Sequence, residues 1–126
     1  MNIWSWVHET TRSLQGEKTP EAKRLAMLMR EVPGYVTDDD HAKLDAAIPE
    51  ALALAKAAKL PWVELFFRHW DLQSRVLKRF EGEKALGDAV ALVDFAHSEA
   101  AHGCPQAVCT VQDLGVSYGS ADGPGV

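Results

Sequence analysis

His97, His102, Cys104 and Cys109 form the densest set of side chains in this chain that could hold a metal or attack a substrate. Zinc takes imidazole nitrogen and thiolate sulfur in tetrahedral sets. The run His-x4-His-x-Cys-x4-Cys has none of the spacings such sites use, and no C-x2-C or H-E-x2-H occurs. Five positions between the histidines is a poor interval for sharing one helix face. The cysteines are also five apart, about 140° around a helix, so a mutual disulfide is not expected. Cys104 precedes Pro105 at a helix start, where a thiol pKa would fall; capping or packing in the turn is the simpler role. No serine sits in G-x-S-x-G, and no glycine-rich phosphate loop is present. Asp38-Asp39-Asp40 lacks the glycine and distal glutamate of a calcium loop. These residues predict a non-enzyme with no catalytic residue, no cofactor and no metal.

His69 and Gln73 are the second place where chemistry is legible. One helical turn apart, they fall near the centre of an otherwise apolar arc. Two polar groups there either bind a peptide backbone or carboxylate from a concave face, or hydrogen-bond each other inside the core. In the first case, replacing either with Leu removes binding and leaves the fold intact. Trp62 and Trp70 share the same broad face and read as core. Trp4 and Trp6 point in different directions, so at least one of them is expected to be exposed or to meet a partner.

The elements that position these residues are read from the punctuation by Pro and Gly. Six helices are expected and no strand. The first runs from Asn2 to about Leu14, with Ile3, Val7, Thr10 and Leu14 on one face. Thr19-Pro20-Glu21 starts the second, with a buried stripe of Ala22, Leu25, Ala26, Met29 and Val32, and Pro33-Gly34 stops it. The third opens at Thr37 and continues to about Lys59, with Leu44, Ile48, Ala51, Leu52, Ala55 and Ala58 in phase across a kink at Pro49. The fourth spans Pro61 to Phe80. Leu65, Leu72, Val76, Trp62, Phe80, Phe66, Leu77 and Trp70 fill one half of its wheel, an arc wide enough to pack on neighbours from both sides. Arg68, Arg75, Lys78 and Arg79 read as a solvated face. The fifth runs from about Lys84 to His102, with Leu86, Val90, Val93, His97 and Ala101 inward, and the sixth from Pro105 to about Tyr118.

Small residues recur on alternate helices. Ala51-x3-Ala55-x2-Ala58 and Ala89-x3-Val93-x2-Ala96 each precede a proline-initiated helix, and Pro61 and Asp71-Leu72 have counterparts in Pro105 and Asp113-Leu114. Val111-x2-Leu114-Gly115-x2-Tyr118 and, in part, Trp62-x2-Leu65-Phe66-x2-His69 follow a first-helix pattern; the alanine runs follow a second-helix pattern. Over roughly residues 45–120 the chain therefore resembles the tetratricopeptide-repeat family. The resemblance implies a right-handed stack of antiparallel helix pairs that presents a groove to a protein or peptide; a plain six-helix bundle is the alternative. Residues 1–118 would form one helical-repeat domain. Residues 119–126 would form a flexible tail, or the turn into a missing helix of a chain truncated at its C-terminus. The open edge would then suit self-association or continuation of a longer protein.

The functional expectation is a non-enzymatic interaction scaffold, with Trp62, His69, Gln73, Gln112 and Tyr118 lining its groove. A regulatory or sensor domain fused to an effector is the alternative, and a metal- or thiol-dependent enzyme comes last. The 126 residues carry a net charge of −5, which opposes nucleic-acid binding. No membrane partner is expected, because no stretch is apolar enough to span a bilayer and no signal peptide is evident. With both thiols free, a cytoplasmic location follows.

Overall fold

Helices begin where a side chain can hold the first free amides. Asn2 Oδ1 accepts the Ser5 N–H at 2.8 Å and opens α1 (Ile3–Gly16). Thr19 Oγ1 accepts the Ala22 N–H at 3.3 Å, with Pro20 at the first position, and opens α2 (Pro20–Thr37). Asp40 accepts the Lys43 N–H at 3.2 Å and opens α3 (His41–Ala57). Next come α4 (Pro61–Gln73), α5 (Gly82–Ala96) and α6 (Pro105–Thr110). This architecture comes from a computed structural model that describes residues 2–115. Among them the protein is all-α, with no strand. No described helix is long and apolar enough to cross a membrane.

Several boundaries differ from expectation. Pro33-Gly34 does not stop α2, which runs on to Thr37. Proline lacks a donor but keeps its carbonyl. Pro33 O accepts the Thr37 hydroxyl at 3.0 Å, Gly34 O accepts the Asp38 N–H at 2.9 Å, and Val36 is buried. The third helix starts after Asp40 rather than at Thr37, because Asp38–Asp40 make the turn. Asp39 adopts φ +55°, its N–H reaching Val36 O at 3.2 Å while the Asp40 N–H reaches Tyr35 O at 2.8 Å. Lys59 closes α3 in the same way at φ +57°, with the Leu60 N–H on Ala55 O at 3.0 Å. Both are left-handed C-terminal closures made without glycine. Across Pro49, α3 is one continuous helix.

The fourth helix is not α-helical to Phe80. After Gln73 it widens into a π turn over Ser74–Lys78, where the Arg79 N–H bonds the Ser74 carbonyl at 3.0 Å. One extra residue in a turn puts the later residues about 100° out of phase. Leu77 and Phe80, expected in the core, are therefore on the surface, and Phe80 is 88% exposed. The fifth helix also ends early. It breaks after Ala96, with the Ser98 hydroxyl on Phe95 O at 2.6 Å, and a short 3₁₀ turn covers Glu99–Ala101. Its buried face is Ala85, Ala89, Leu92, Val93 and Ala96, whereas Leu86, Val90 and His97 are exposed. Small side chains let α5 approach its neighbours closely, and that placement overrides the larger residues of the expected face. A second π turn, Val111–Gly115, follows α6. Tyr118 and the expected tail 119–126 lie outside the described residues.

The core forms on both sides of α4. Val63, Phe66 and Phe67 join a cluster with Trp6, Leu25, Met29, Leu44 and Ala51 from α1, α2 and α3. Leu65 and Leu72 join a second cluster with Ala85, Ala89, Leu92 and Leu114 from α5 and the last turn. Trp62 packs against both. Of the expected solvated face, Lys78 is exposed, whereas Arg68, Arg75 and Arg79 are half-buried and paired. Arg68 lies 3.5 Å from Glu64, and its guanidinium sits 5.2 Å from the Phe95 ring centre. Arg75 reaches Asp71 at 3.6 Å and Asp88 at 3.1 Å, and Arg79 grips both oxygens of Asp45 at 2.9 Å. Lys78 lies 3.5 Å from Asp39. These cations sit between α3, α4 and α5, where opposite charges meet them.

Lys59 is exposed and held in a conformation that costs a side-chain-bearing residue about 1–2 kcal/mol, against about 0.5–1 kcal/mol lost to glycine's freedom in the unfolded chain. Lys59→Gly is expected to raise stability by about 0.5–1 kcal/mol, read as a higher midpoint in urea unfolding. A lower midpoint would contradict the left-handed closure.

Candidate functional site

His69 is carried into the centre of the molecule by α4 and is 2% exposed. Its Nδ1 lies 2.9 Å from the Thr110 hydroxyl on α6, and its Nε2 lies 2.9 Å from Gln73 Oε1 and 3.8 Å from Asp113 Oδ2. One tautomer satisfies these contacts. Nε2–H donates to the Gln73 oxygen, and the Thr110 hydroxyl donates to Nδ1. The edge of the Trp70 ring closes the third side, 5.5 Å away at 84°. Burial pushes the His69 pKa below 6.5, against the opposing pull of Gln73 and the Asp113 carboxylate. The imidazole is thus neutral at neutral pH, and it ties α4 to α6.

The remaining expected site residues disperse. Trp62, half-buried, donates its indole N–H to Ala100 O at 3.0 Å, and its ring lies beside Gly103, where a Cβ would meet it at 3.7 Å. It therefore fixes the segment linking α5 to α6. Gln112 is exposed and lines a groove on that segment's outer side; Tyr118 lies outside the described residues. His69 and Gln73 are brought together. Gln112 instead faces a different surface.

That groove has a volume of about 520 Å³. Ala96, Ala101 and Ala107 give it apolar walls, His97, His102 and Gln112 give it polar ones, and Cys104 lies at its base. Val108 stands at its lip, 60% exposed. Burial raises the pKa of both Cys104 and Cys109, and for Cys104 it outweighs the amide N–H groups of Ala107 and Gln106 at the helix start. The dipole effect expected of the Cys104-Pro105 pair is overturned by desolvation. Among the described residues, no three His, Cys, Asp or Glu side chains converge as metal ligands.

Comparison with protein-family models, with curated proteins and with solved structures finds no match to this chain. The geometry of the site itself therefore carries the functional reading.

Two features leave no mark in the spacing. Thr110, the α6 partner of His69, carries no signal of its own in a run of Val, Cys and Thr. The Trp4–Trp70 contact, ring centres 6.0 Å apart, joins residues far apart in the chain. The divergence of Trp4 and Trp6 is the available clue: Trp6 is buried, and Trp4 is 54% exposed.

The depressed pKa of His69 fixes a pH dependence. Between that pKa and 6.5 the unfolded chain binds more protons than the folded one. The stability that neutral His69 contributes is complete above about pH 6.5 and lost as pH falls through its folded pKa. Thermal melts at constant ionic strength should show the wild-type midpoint falling from about pH 7 to about pH 5 more steeply than that of His69→Gln. Parallel profiles would contradict the assignment. His69→Leu strands the Thr110 and Gln73 side chains and should lose about 1–3 kcal/mol in denaturant unfolding; an unchanged midpoint would show that the seam carries no stability.

Proposed function

We propose that this chain is a non-enzymatic, tetratricopeptide-like helical scaffold that binds a protein or peptide in a reducing, cytoplasmic setting. The packing order supports the stacked reading. Helices α2, α4 and α6 touch in succession, α3 packs on α2 and α4, and α5 packs on α4 and α6. The alanine seams expected from spacing are buried at Ala51, Ala55, Ala89 and Ala96, although Ala58 is exposed. Free Cys104 and Cys109 fit a reducing compartment.

One observation carries the functional reading: the groove between the end of α5 and α6. It lies where a further helix of the stack would pack. Its alanine walls admit a close-packed helix, Val108 offers an apolar anchor point, and Gln112 can hydrogen-bond at the rim. In this reading His69, Gln73 and Trp62 are positioning residues. The first two hold α6 through Thr110, and Trp62 holds the 3₁₀ segment through Ala100. The occupant is a helix from another protein or from a second copy of this chain. The net charge of −5 disfavours nucleic acid.

Display of a library of amphipathic helical peptides against the folded protein tests the reading. Binders should lose affinity at least about tenfold with Val108→Glu, an exposed position, while the melting midpoint moves by less than about 1 °C. Absence of any binder, or binders indifferent to Val108→Glu, would defeat it.

A further inference from the structure

A second groove, of about 390 Å³, opens between the second half of α1, the start of α2 and the α3–α4 turn. Its floor is apolar, made by Leu14, Leu25 and Leu60 among others, and its charged lining residues are all acids: Glu9, Glu17 and Glu21. The helix geometry puts them there. Glu9 and Glu17 lie on α1 and at its end, eight residues apart and so on neighbouring faces, while Glu21 sits in the first turn of α2.

What sets this place apart is that its unpaired carboxylates line one apolar groove with no Lys or Arg among its lining residues. Around α4 and between α2 and α3, carboxylates are matched: Glu64 with Arg68, Asp71 with Arg75, Asp45 with Arg79, Glu50 with Arg24 at 2.8 Å. Among the described residues, Glu9, Glu17 and Glu21 form no ion pair, and all three are exposed. Lys18 and Lys59 are close in sequence, but neither lines the groove. An apolar floor ringed by unmatched negative charge is complementary to an apolar side chain flanked by cations.

We infer that this groove docks a basic peptide segment of a protein partner, an apolar residue seated on Leu14, Leu25 and Leu60 with lysine or arginine side chains facing Glu9, Glu17 and Glu21. The inference stands apart from the α5–α6 groove, because it uses a different surface and a different chemistry. The floor supplies the anchor by burying apolar area. The carboxylates supply orientation and on-rate, and their effect weakens as salt shortens the screening length from about 30 Å at 0.01 M to about 8 Å at 0.15 M.

An immobilised library of twelve-residue peptides, varied independently in net charge and in apolar content, tests this with the full chain as probe. Wild type is expected to enrich peptides that combine an apolar residue with flanking Lys or Arg. The triple variant Glu9→Gln/Glu17→Gln/Glu21→Gln should lose that enrichment at least tenfold and stay folded, its melting midpoint lower by at most a few degrees because Glu21 no longer complements the α2 N-terminus, whereas Val108→Glu keeps it. Leu60→Glu should lose it too. Enrichment of basic peptides regardless of apolar content, enrichment undiminished in the triple variant, or no enrichment at all would overturn the inference. Saturable binding of spermidine with no peptide enriched would also overturn it, in favour of a small polycation.

Discussion

The structure depends on covering α4. Its Phe66 and Phe67 lie against the first three helices, its Leu65 and Leu72 against the last two, and even its charged stripe is half-buried between α3 and α5. A helix this apolar cannot lie on a surface. Two helical layers must close over it, and that demand organises the chain into an N-terminal and a C-terminal half sharing one element. It also explains the pairing of Arg68, Arg75 and Arg79. Cations on a surrounded helix lose water, so each must find a carboxylate within reach. The Asp71 pKa is raised because burial there outweighs the attraction of Arg75.

Apolar layers alone leave the register of one helix on another loosely set. His69 removes that freedom. Its two nitrogens each take a partner at 2.9 Å, one on its own helix and one on α6, so sliding α6 by a residue would break a buried hydrogen bond. Trp62 does the same a little earlier in the chain, through the carbonyl of Ala100. Polar groups whose spacing suggests a binding surface thus also hold in place the helix whose outer side forms a groove.

Much of this is legible because helical burial leaves a period in the sequence. The stripe Ala22, Leu25, Ala26, Met29 and Val32 is buried throughout, and the Thr19-Pro20 start has the capping bond its residue types imply. Less legible are features set by tertiary fit. Lys59 and Asp39 take left-handed closures that propensity assigns to glycine, because the Schellman hydrogen bonds and the next helix impose them. On α5 the larger residues Leu86 and Val90 lie outward, since a close crossing needs alanine at the contact. Of the candidate site, the His69–Gln73 contact follows from a one-turn spacing. Thr110 does not, because only the packing of α6 brings it there. Position 118 falls outside the described residues, so the Leu114-Gly115-x2-Tyr118 pattern is followed only as far as Leu114 and the turn it occupies.

Unequal spacing bears in a similar way on the repeat expected from the sequence. Pro61 and Pro105 are 44 residues apart, Asp71 and Asp113 only 42. In a strict repeat such pairs would share one offset. Here α4 runs unbroken to Gln73 before its π turn, whereas α6 widens from Val111 onward. Asp71 and Leu72 therefore lie in regular α-helix, and Asp113 and Leu114 lie inside a π turn. Both leucines are nevertheless buried in the same cluster. One π turn shifts helical phase by about 100°, about half of what two missing residues remove, so the turn by itself does not restore the offset. The π turn of α4 comes after Leu72 and releases Leu77 and Phe80 to the surface. Both helices that meet at the His69 seam thus change helical phase near their ends, α4 after its buried Leu72 and α6 around its buried Leu114.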